Sequence, residues 1–137
     1  MKIKTSELTG AALDWAVAKC EGEEFEIKDG ALVIGTRYES NSVDDDYGCE
    51  FDIEYRPSQD WAQGGPIIER EGIDLYCNVP TNTAHADPAW RGSWRAKYHR
   101  CGFGTEMSYG PTPLIAACRC LVASKLGDEV EVPDELA

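Results

Sequence analysis

The chain has 137 residues, of which 42% are hydrophobic and 28% are charged, and its formal net charge is −12. This composition excludes a disordered or fibrous protein and predicts one globular domain over residues 1–137. The acidic balance argues against direct nucleic-acid binding, because a phosphate backbone attracts clustered positive charge. No apolar run reaches the ~20 residues of a transmembrane helix, and the polar start lacks a signal core, so we expect a cytosolic protein that binds no membrane.

The first third of the chain is predicted to form a helix followed by a β-hairpin. Residues 9–20 carry an apolar stripe at helical spacing, with Thr9 available as the cap and Gly22 as the stop. Two apolar runs then flank Asp29-Gly30, the pair typical of a two-residue hairpin turn.

The middle of the chain mixes polar and apolar segments. Residues 39–48 are polar and predict a loop. Apolar side chains then alternate with Asp52 and Glu54, which predicts a half-buried strand formed around Phe51, Ile53 and Tyr55. The run of residues 64–66, Gly-Gly-Pro, predicts a turn.

The last part of the chain is predicted to form two strands and a buried helix. Residues 73–77 and 94–98 alternate as strands, the second being the last before the helix. The helix is predicted from the cap Thr112 to the stop Gly127, and beyond it Val130 and Val132 either add an edge strand or lie along the body. The fold class is therefore α+β, with a small antiparallel sheet packed against an N-terminal and a C-terminal helix.

Six cysteines, at positions 20, 49, 77, 101, 118 and 120, lack the spacing of a metal site. With no export signal, reduced thiols are favoured over a disulfide framework. A zinc site could be assembled from Cys77, His85, His99 and Cys101, but no Cys-x-x-Cys or His-x-x-x-His pair supports it. We therefore expect no metal and no cofactor.

The first candidate binding segment contains Trp61, Gln63, Gly64 and Gly65. The glycines permit close approach to the backbone, and the Gln63 amide offers both a donor and an acceptor. The alternative is a structural turn held by a buried Trp61.

The second candidate segment, residues 88–105, contains no acid and interleaves basic with aromatic side chains. Trp94, Arg95 and Arg100 would suit an anionic, ring-bearing ligand, since rings stack and arginines neutralise phosphate. The alternative is that the basic residues pair with acidic loops while the rings pack the sheet. If both segments face one cleft, they would bind a small nucleotide-like anion.

Three blocks of the chain carry a family resemblance. They are residues 2–22 (KIKTSELTGAALDWAVAKCEG), 57–72 (PSQDWAQGGPIIEREG) and 110–136 (GPTPLIAACRCLVASKLGDEVEVPDEL). In this order they resemble the NinX-like family of small proteins from tailed bacteriophages and enterobacterial prophages. The resemblance implies a non-structural phage accessory protein acting in the host cytoplasm, and it supplies no catalytic residues.

Several functions remain compatible with the sequence. The leading interpretation is a non-enzymatic accessory module that binds a host component, either a host protein or a small anionic molecule. The alternatives are sequestration of a nucleotide-like host or defence signal, an acidic DNA mimic, and a small enzyme of unknown reaction. No Gly-x-Ser-x-Gly or His-Glu-x-x-His motif supports the enzyme, so no catalytic residue is assigned.

Overall fold

A computed structural model describes residues 1–40, 48–77, 93–98 and 107–137, without the side chains of residues 39 and 40. A 3-10 turn, Thr5–Glu7, precedes the first helix. In chain order the elements are β1 (Lys2–Lys4), α1 (Gly10–Glu21), β2 (Glu26–Lys28), β3 (Ala31–Ser40), β4 (Gly48–Glu54), α2 (Trp61–Glu71), β5 (Ile73–Cys77), β6 (Trp94–Tyr98), β7 (Ser108–Gly110), α3 (Pro113–Leu126) and β8 (Glu129–Glu131).

The predicted α+β class is confirmed, with helices near both ends packed on antiparallel strands. Within the described residues the strands form three small sheets, ordered β1-β8, β2-β3-β4 and β5-β6-β7. The predicted edge strand is β8, and its partner β1 was not predicted from the sequence. The strand expected to be last before α3 is followed by another, the three-residue β7, which pairs with β6.

Helix α3 is the centre of the structure, as predicted. Thr112 Oγ1 accepts a hydrogen bond from the Ile115 backbone N–H at 3.2 Å, and Gly127 ends the helix. One side of α3 packs with α1 in a core cluster that includes Leu121 and Cys118. The opposite side packs on β5 and β6 through Ala116, Ala117 and Cys120. Among the described helices none combines the length and apolarity needed to cross a membrane.

The N-terminal helix and hairpin follow the prediction closely. Thr9 occupies the N-cap position of α1, although its side chain makes no capping hydrogen bond, and Gly22 ends the helix in the left-handed conformation. The turn between β2 and β3 places Asp29 at φ 50° and Gly30 at φ 77°. Positive φ at both central residues is the geometry of a type I′ hairpin turn, which explains the preference for this dipeptide.

The predicted turn at residues 64–66 is wrong. Helix α2 runs through it, begins with the Asp60 side chain accepting a hydrogen bond from the Ala62 backbone N–H at 2.9 Å, and contains Pro66. The buried side chain of Ile67 joins α2 to the core cluster around α1 and α3. Tertiary packing therefore overrides the local preference of glycine and proline against helix.

The predicted loop and strand at residues 39–55 are also corrected. Strand β3 continues to Ser40 and β4 begins at Gly48, so both ends of the predicted loop belong to strands, and residues 41–47 lie outside the described part of the chain. Tyr55 is buried in the core as predicted, but the Phe51 side chain is 45% exposed. The alternation predicted the strand and the burial of Tyr55 correctly, and the burial of Phe51 incorrectly.

Among the described cysteines, Cys20, Cys49, Cys77 and Cys118 form no disulfide bond, and Cys101 lies outside the described residues. The reduced state of all six thiols stays a prediction. Cys118 and Cys120 point to different core clusters on opposite sides of α3, as their spacing predicts.

Candidate functional site

Trp61 lies at the first position of α2 and its side chain is 55% exposed. The alternative of a buried tryptophan that holds a turn is therefore wrong. Its ring borders the neighbouring helical turn, where a Cβ on Gly65 would lie 4.0 Å from Trp61 Cε3. An exposed indole of this kind remains accessible to a ligand or a partner.

Gln63 uses its side-chain amide to hold the end of β4 against α2. The Arg56 backbone N–H donates to Gln63 Oε1 at 2.7 Å, and Gln63 Nε2 donates to the Glu54 carbonyl oxygen at 2.8 Å. The donor and the acceptor that the sequence offered to a ligand are thus engaged within the protein.

Gly64 does support a close approach, but the approaching groups belong to the protein itself. A Cβ at Gly64 would lie 2.6 Å from Leu114 Cδ2 on α3 and closer still to the Pro57 carbonyl oxygen. Such contacts cannot be accommodated without movement, so the missing side chain allows α2 to pack here.

Trp94 and Arg95 are neighbours on β6 and project from opposite faces of its sheet, because successive strand residues alternate. Trp94 packs toward α3 in the second core cluster. The Arg95 guanidinium lies 5.0 Å from the centre of the Tyr76 ring, and Arg95 Nε is buried without a hydrogen-bond partner among the described residues. Arg100 lies outside the described residues.

The predicted binding residues are therefore distributed over several structural roles. Trp61 is exposed on α2, Gln63 and Gly64 make internal contacts, and Trp94 faces the core side of its sheet. A shared cleft formed by these residues and Arg95 stays a prediction.

A different surface, which the sequence analysis did not identify, projects from the second sheet. Among the described strands, β2 pairs with the start of β3 and no other segment, at Ala31–Val33. Beyond that point β4 is the one described partner of β3, and Ile34 forms a bulge between the paired residues Val33 and Gly35. We call residues 34–38 and 48–54 the β3–β4 ribbon. Nearly all of its side chains are exposed.

Both faces of the β3–β4 ribbon carry an exposed aromatic side chain. Phe51 lies opposite Arg37, whose guanidinium carbon is 6.0 Å from the ring centre. Tyr38 lies opposite Glu50 in the next pair, so it projects from the other face, and 55% of its side chain is exposed. The ribbon is thus accessible from both sides, with aromatic side chains that a partner could cover.

The outer strand of the ribbon, β4, is acidic, and among the described strands it has one partner. Glu50, Asp52 and Glu54 alternate along β4 and share one face, where Lys28 Nζ lies 3.4 Å from Asp52 Oδ1. That partner is β3, and no described strand pairs with the other edge of β4, which we call its open edge. An acidic edge resists pairing with itself and attracts a basic strand.

One buried carboxyl group lies between α1 and the segment that precedes α2. Asp14 is almost fully buried, and its Oδ1 accepts a hydrogen bond from the Ser58 backbone N–H at 2.9 Å. Burial raises the pKa of Asp14 to about 6, although the hydrogen bonds from Ser58 act in the opposite direction. We interpret this contact as structural, because it fixes the path of the chain into α2.

These features define a small α+β protein with a projecting, two-sided β-ribbon. A sequence model of the family described as "Bacteriophage P22, NinX" matches residues 4–125. The chain therefore belongs to this bacteriophage family, which confirms the resemblance drawn from the three sequence blocks. A comparison with curated proteins finds no match.

Proposed function

We propose that this protein is a non-enzymatic bacteriophage accessory module that binds a basic host protein in the cytoplasm through the β3–β4 ribbon. The observation that carries the proposal is the exposure of Phe51 and Tyr38 on the two faces of one ribbon. Aromatic side chains are enriched where protein surfaces associate, because they bury a large area with little loss of conformational entropy.

The open edge of β4 supports the same proposal. An extended segment of a partner can add to such an edge through backbone hydrogen bonds, while its side chains meet those of the ribbon. The pairing register shifts at Ile34, and a bulge of this kind bends its strand and increases the local twist. The ribbon therefore offers a partner both an edge and two faces.

Charge supports a basic partner rather than a second copy of the chain. The β4 edge carries Glu50, Asp52 and Glu54, and the net charge of the protein is −12. Pairing two copies edge to edge would bring rows of carboxylates together, which is unfavourable. A lysine- or arginine-rich segment would neutralise the same row and be steered toward it at low salt.

A second candidate function is sequestration of a small nucleotide-like anion by Trp61, Gln63, Gly64, Gly65, Trp94, Arg95 and Arg100. The buried Nε of Arg95, which has no hydrogen-bond partner among the described residues, favours it. The internal hydrogen bonds of Gln63 and the internal packing of Gly64 weigh against it. We therefore rank the ribbon above this site.

The proposal is tested by capture from host lysate with three matched proteins: wild type, Phe51→Ala and Leu126→Ala. Leu126 is 41% exposed, close to the 45% of Phe51, but it lies at the end of α3. We expect wild type and Leu126→Ala to capture the same basic host protein. After this partner is purified, we expect it to bind Phe51→Ala at least about tenfold more weakly than wild type.

Three results would reject the ribbon as the partner surface. The first is equal binding of the purified protein by wild type and Phe51→Ala. The second is equal weakening by Leu126→Ala, which would indicate a nonspecific apolar effect. The third is a captured protein whose affinity is unchanged when Glu50 and Asp52 are replaced by glutamine and asparagine, which would remove the basis for a basic partner.

A further inference from the structure

A cleft with a volume of about 380 Å³ lies between the N-terminal 3-10 turn, β7 and α3. It shares no residue with the β3–β4 ribbon, so what it binds does not depend on the proposed function. Its lining includes Lys4, Ser6, Ser108, Arg119 and Asp128. The volume falls within the range of small-molecule pockets.

Arg119 is the unusual member of this lining, because it is a buried cation whose hydrogen bonds, within the part of the chain that the structure describes, go to carbonyl oxygens and not to a carboxylate. Its exposed fraction is only 8%. Arg119 Nε donates to the Leu8 carbonyl oxygen at 3.0 Å, and Nη1 donates to the Tyr109 carbonyl oxygen at 2.7 Å. Within the described residues the guanidinium meets these neutral acceptors and no carboxylate.

The buried charge of Arg119 carries a desolvation cost. A buried charge is normally paired, because removal from water is expensive. Burial lowers the pKa of Arg119. Two of the five N–H donors of the guanidinium are used by the carbonyl oxygens, so donors remain for a further acceptor.

The wall of the cleft is held in place by backbone contacts. The Thr5 backbone N–H donates to the Asp128 carbonyl oxygen at 2.8 Å, and Thr5 Oγ1 donates to the Gly127 carbonyl oxygen at 2.6 Å. The hydroxyl-bearing Ser6 and Ser108 are thereby placed around the same opening as Lys4. Hydroxyl and ammonium donors beside a guanidinium suit an oxyanion.

We propose that this cleft binds a small molecule bearing a single oxyanion group, a carboxylate or a phosphate monoester, with Arg119 as the buried anchor. Asp128 and Glu129 also line the cleft and disfavour a polyanion by repulsion. The same carboxylates can accept hydrogen bonds from donor groups elsewhere on the ligand. The class is therefore a small molecule with one carboxylate or one phosphate group that also carries hydroxyl or amino groups.

The test uses nuclear magnetic resonance of the full chain, following the Arg119 Nε–H signal during titration with inorganic phosphate and, separately, with acetate. Sodium chloride at matched ionic strength is the blank. We expect a saturable shift with at least one of the two anions and none with chloride. Saturation by phosphate alone identifies a phosphate ligand, and saturation by acetate identifies a carboxylate.

Arg119 variants can fail to fold, so the decisive variants lie elsewhere. Ser6→Glu places a carboxylate at the cleft, and Gln59→Glu adds the same charge on an exposed surface outside its lining. We expect Ser6→Glu to weaken anion binding by about tenfold or more and Gln59→Glu to change it by less than about twofold. Absence of a saturable shift with either anion, or equal binding by Ser6→Glu and wild type, overturns the proposal.

Discussion

Gly64 on α2 and Leu114 on α3 mark the point where the two helices leave no space for a side chain. A Cβ at Gly64 would lie 2.6 Å from Leu114 Cδ2, and the Pro57 carbonyl oxygen would be nearer still. Gly65, the next residue, has no such restriction, since its nearest neighbour would be Trp61 Cε3 at 4.0 Å. The two adjacent glycines therefore have different structural roles.

Replacing each glycine by alanine separates these roles. Gly64→Ala should lower the free energy of unfolding by about 1–3 kcal/mol, because the overpacking outweighs the better helix propensity of alanine. Gly65→Ala should raise it by about 0.5–1 kcal/mol, because only the propensity changes. Urea denaturation measures both values, and a Gly64→Ala variant as stable as Gly65→Ala would contradict the packing of α2 on α3.

The central position of α3 predicts a large loss of stability on truncation of its core side chains. Leu121 is completely buried in the cluster shared with α1. Leu121→Ala should lower the free energy of unfolding by about 2–5 kcal/mol, since it removes apolar contacts and leaves a cavity. Leu126→Ala, on an exposed position of the same helix, is the control. A thermal melt of Leu121→Ala within a degree or two of wild type would show that α3 is peripheral.

The two helices illustrate what the sequence could predict. The bounds of α3 depend on local signals, the cap Thr112, Pro113 at the start and Gly127 at the end, and the prediction was correct. Helix α2 contains Gly-Gly-Pro and depends instead on contacts outside the helix, including the hydrogen bonds of Gln63 to Glu54 and Arg56. A local sequence pattern does not show which residues outside a helix will contact it.

Asp14 predicts a specific dependence of stability on pH. Its pKa is about 6 in the folded protein against an ordinary value of 3.8, because of burial. A pKa raised in the folded state means that its favourable contribution is full below about pH 4 and is lost as the pH rises through about 6. The stability of wild type relative to Asp14→Asn should therefore fall by roughly 2–3 kcal/mol across this interval.

Urea denaturation of both proteins between pH 4 and pH 7.5 measures this difference. The amide oxygen introduced by Asp14→Asn retains the acceptor for the Ser58 backbone N–H, so the variant should fold. Glu24→Gln, on the surface, controls for the loss of one negative charge. A constant difference between wild type and Asp14→Asn across the interval would show that the Asp14 carboxyl does not have the raised pKa.

The thiols should react with an alkylating reagent in an order set by burial. Without reductant, the denatured protein should approach six labels, one for each cysteine. In the native protein, the exposed Cys49 and Cys77 should react first. Cys118 should react slowly, because it is buried and burial raises the pKa of its thiol. Mass spectrometry of the labelled peptides tests this order, which labelling of Cys118 as fast as that of Cys49 would contradict.

The candidate surface was less predictable than the fold. The alternation around Phe51 correctly indicates a strand. The burial of its side chains depends on what covers each face of the sheet, and this cannot be read from alternation. Strand β2 ends its pairing at Val33, before the position on β3 that lies opposite Phe51. The composition around Trp94 and Arg95 suggests one chemical unit, although strand geometry directs the two side chains to opposite faces. Composition identifies which side chains are present, whereas tertiary structure decides which of them meet.

Hydrogen–deuterium exchange, measured on the protein with and without its purified basic host partner, tests directly whether the β3–β4 ribbon is the partner surface. The proposal predicts slower exchange of backbone amides in residues 48–54 on binding, because the open edge of β4 becomes paired or covered. Amides of α2 should be unchanged, since Trp61 is not part of the ribbon. Protection confined to segments outside residues 34–38 and 48–54 would contradict the assignment of the β3–β4 ribbon as the partner surface.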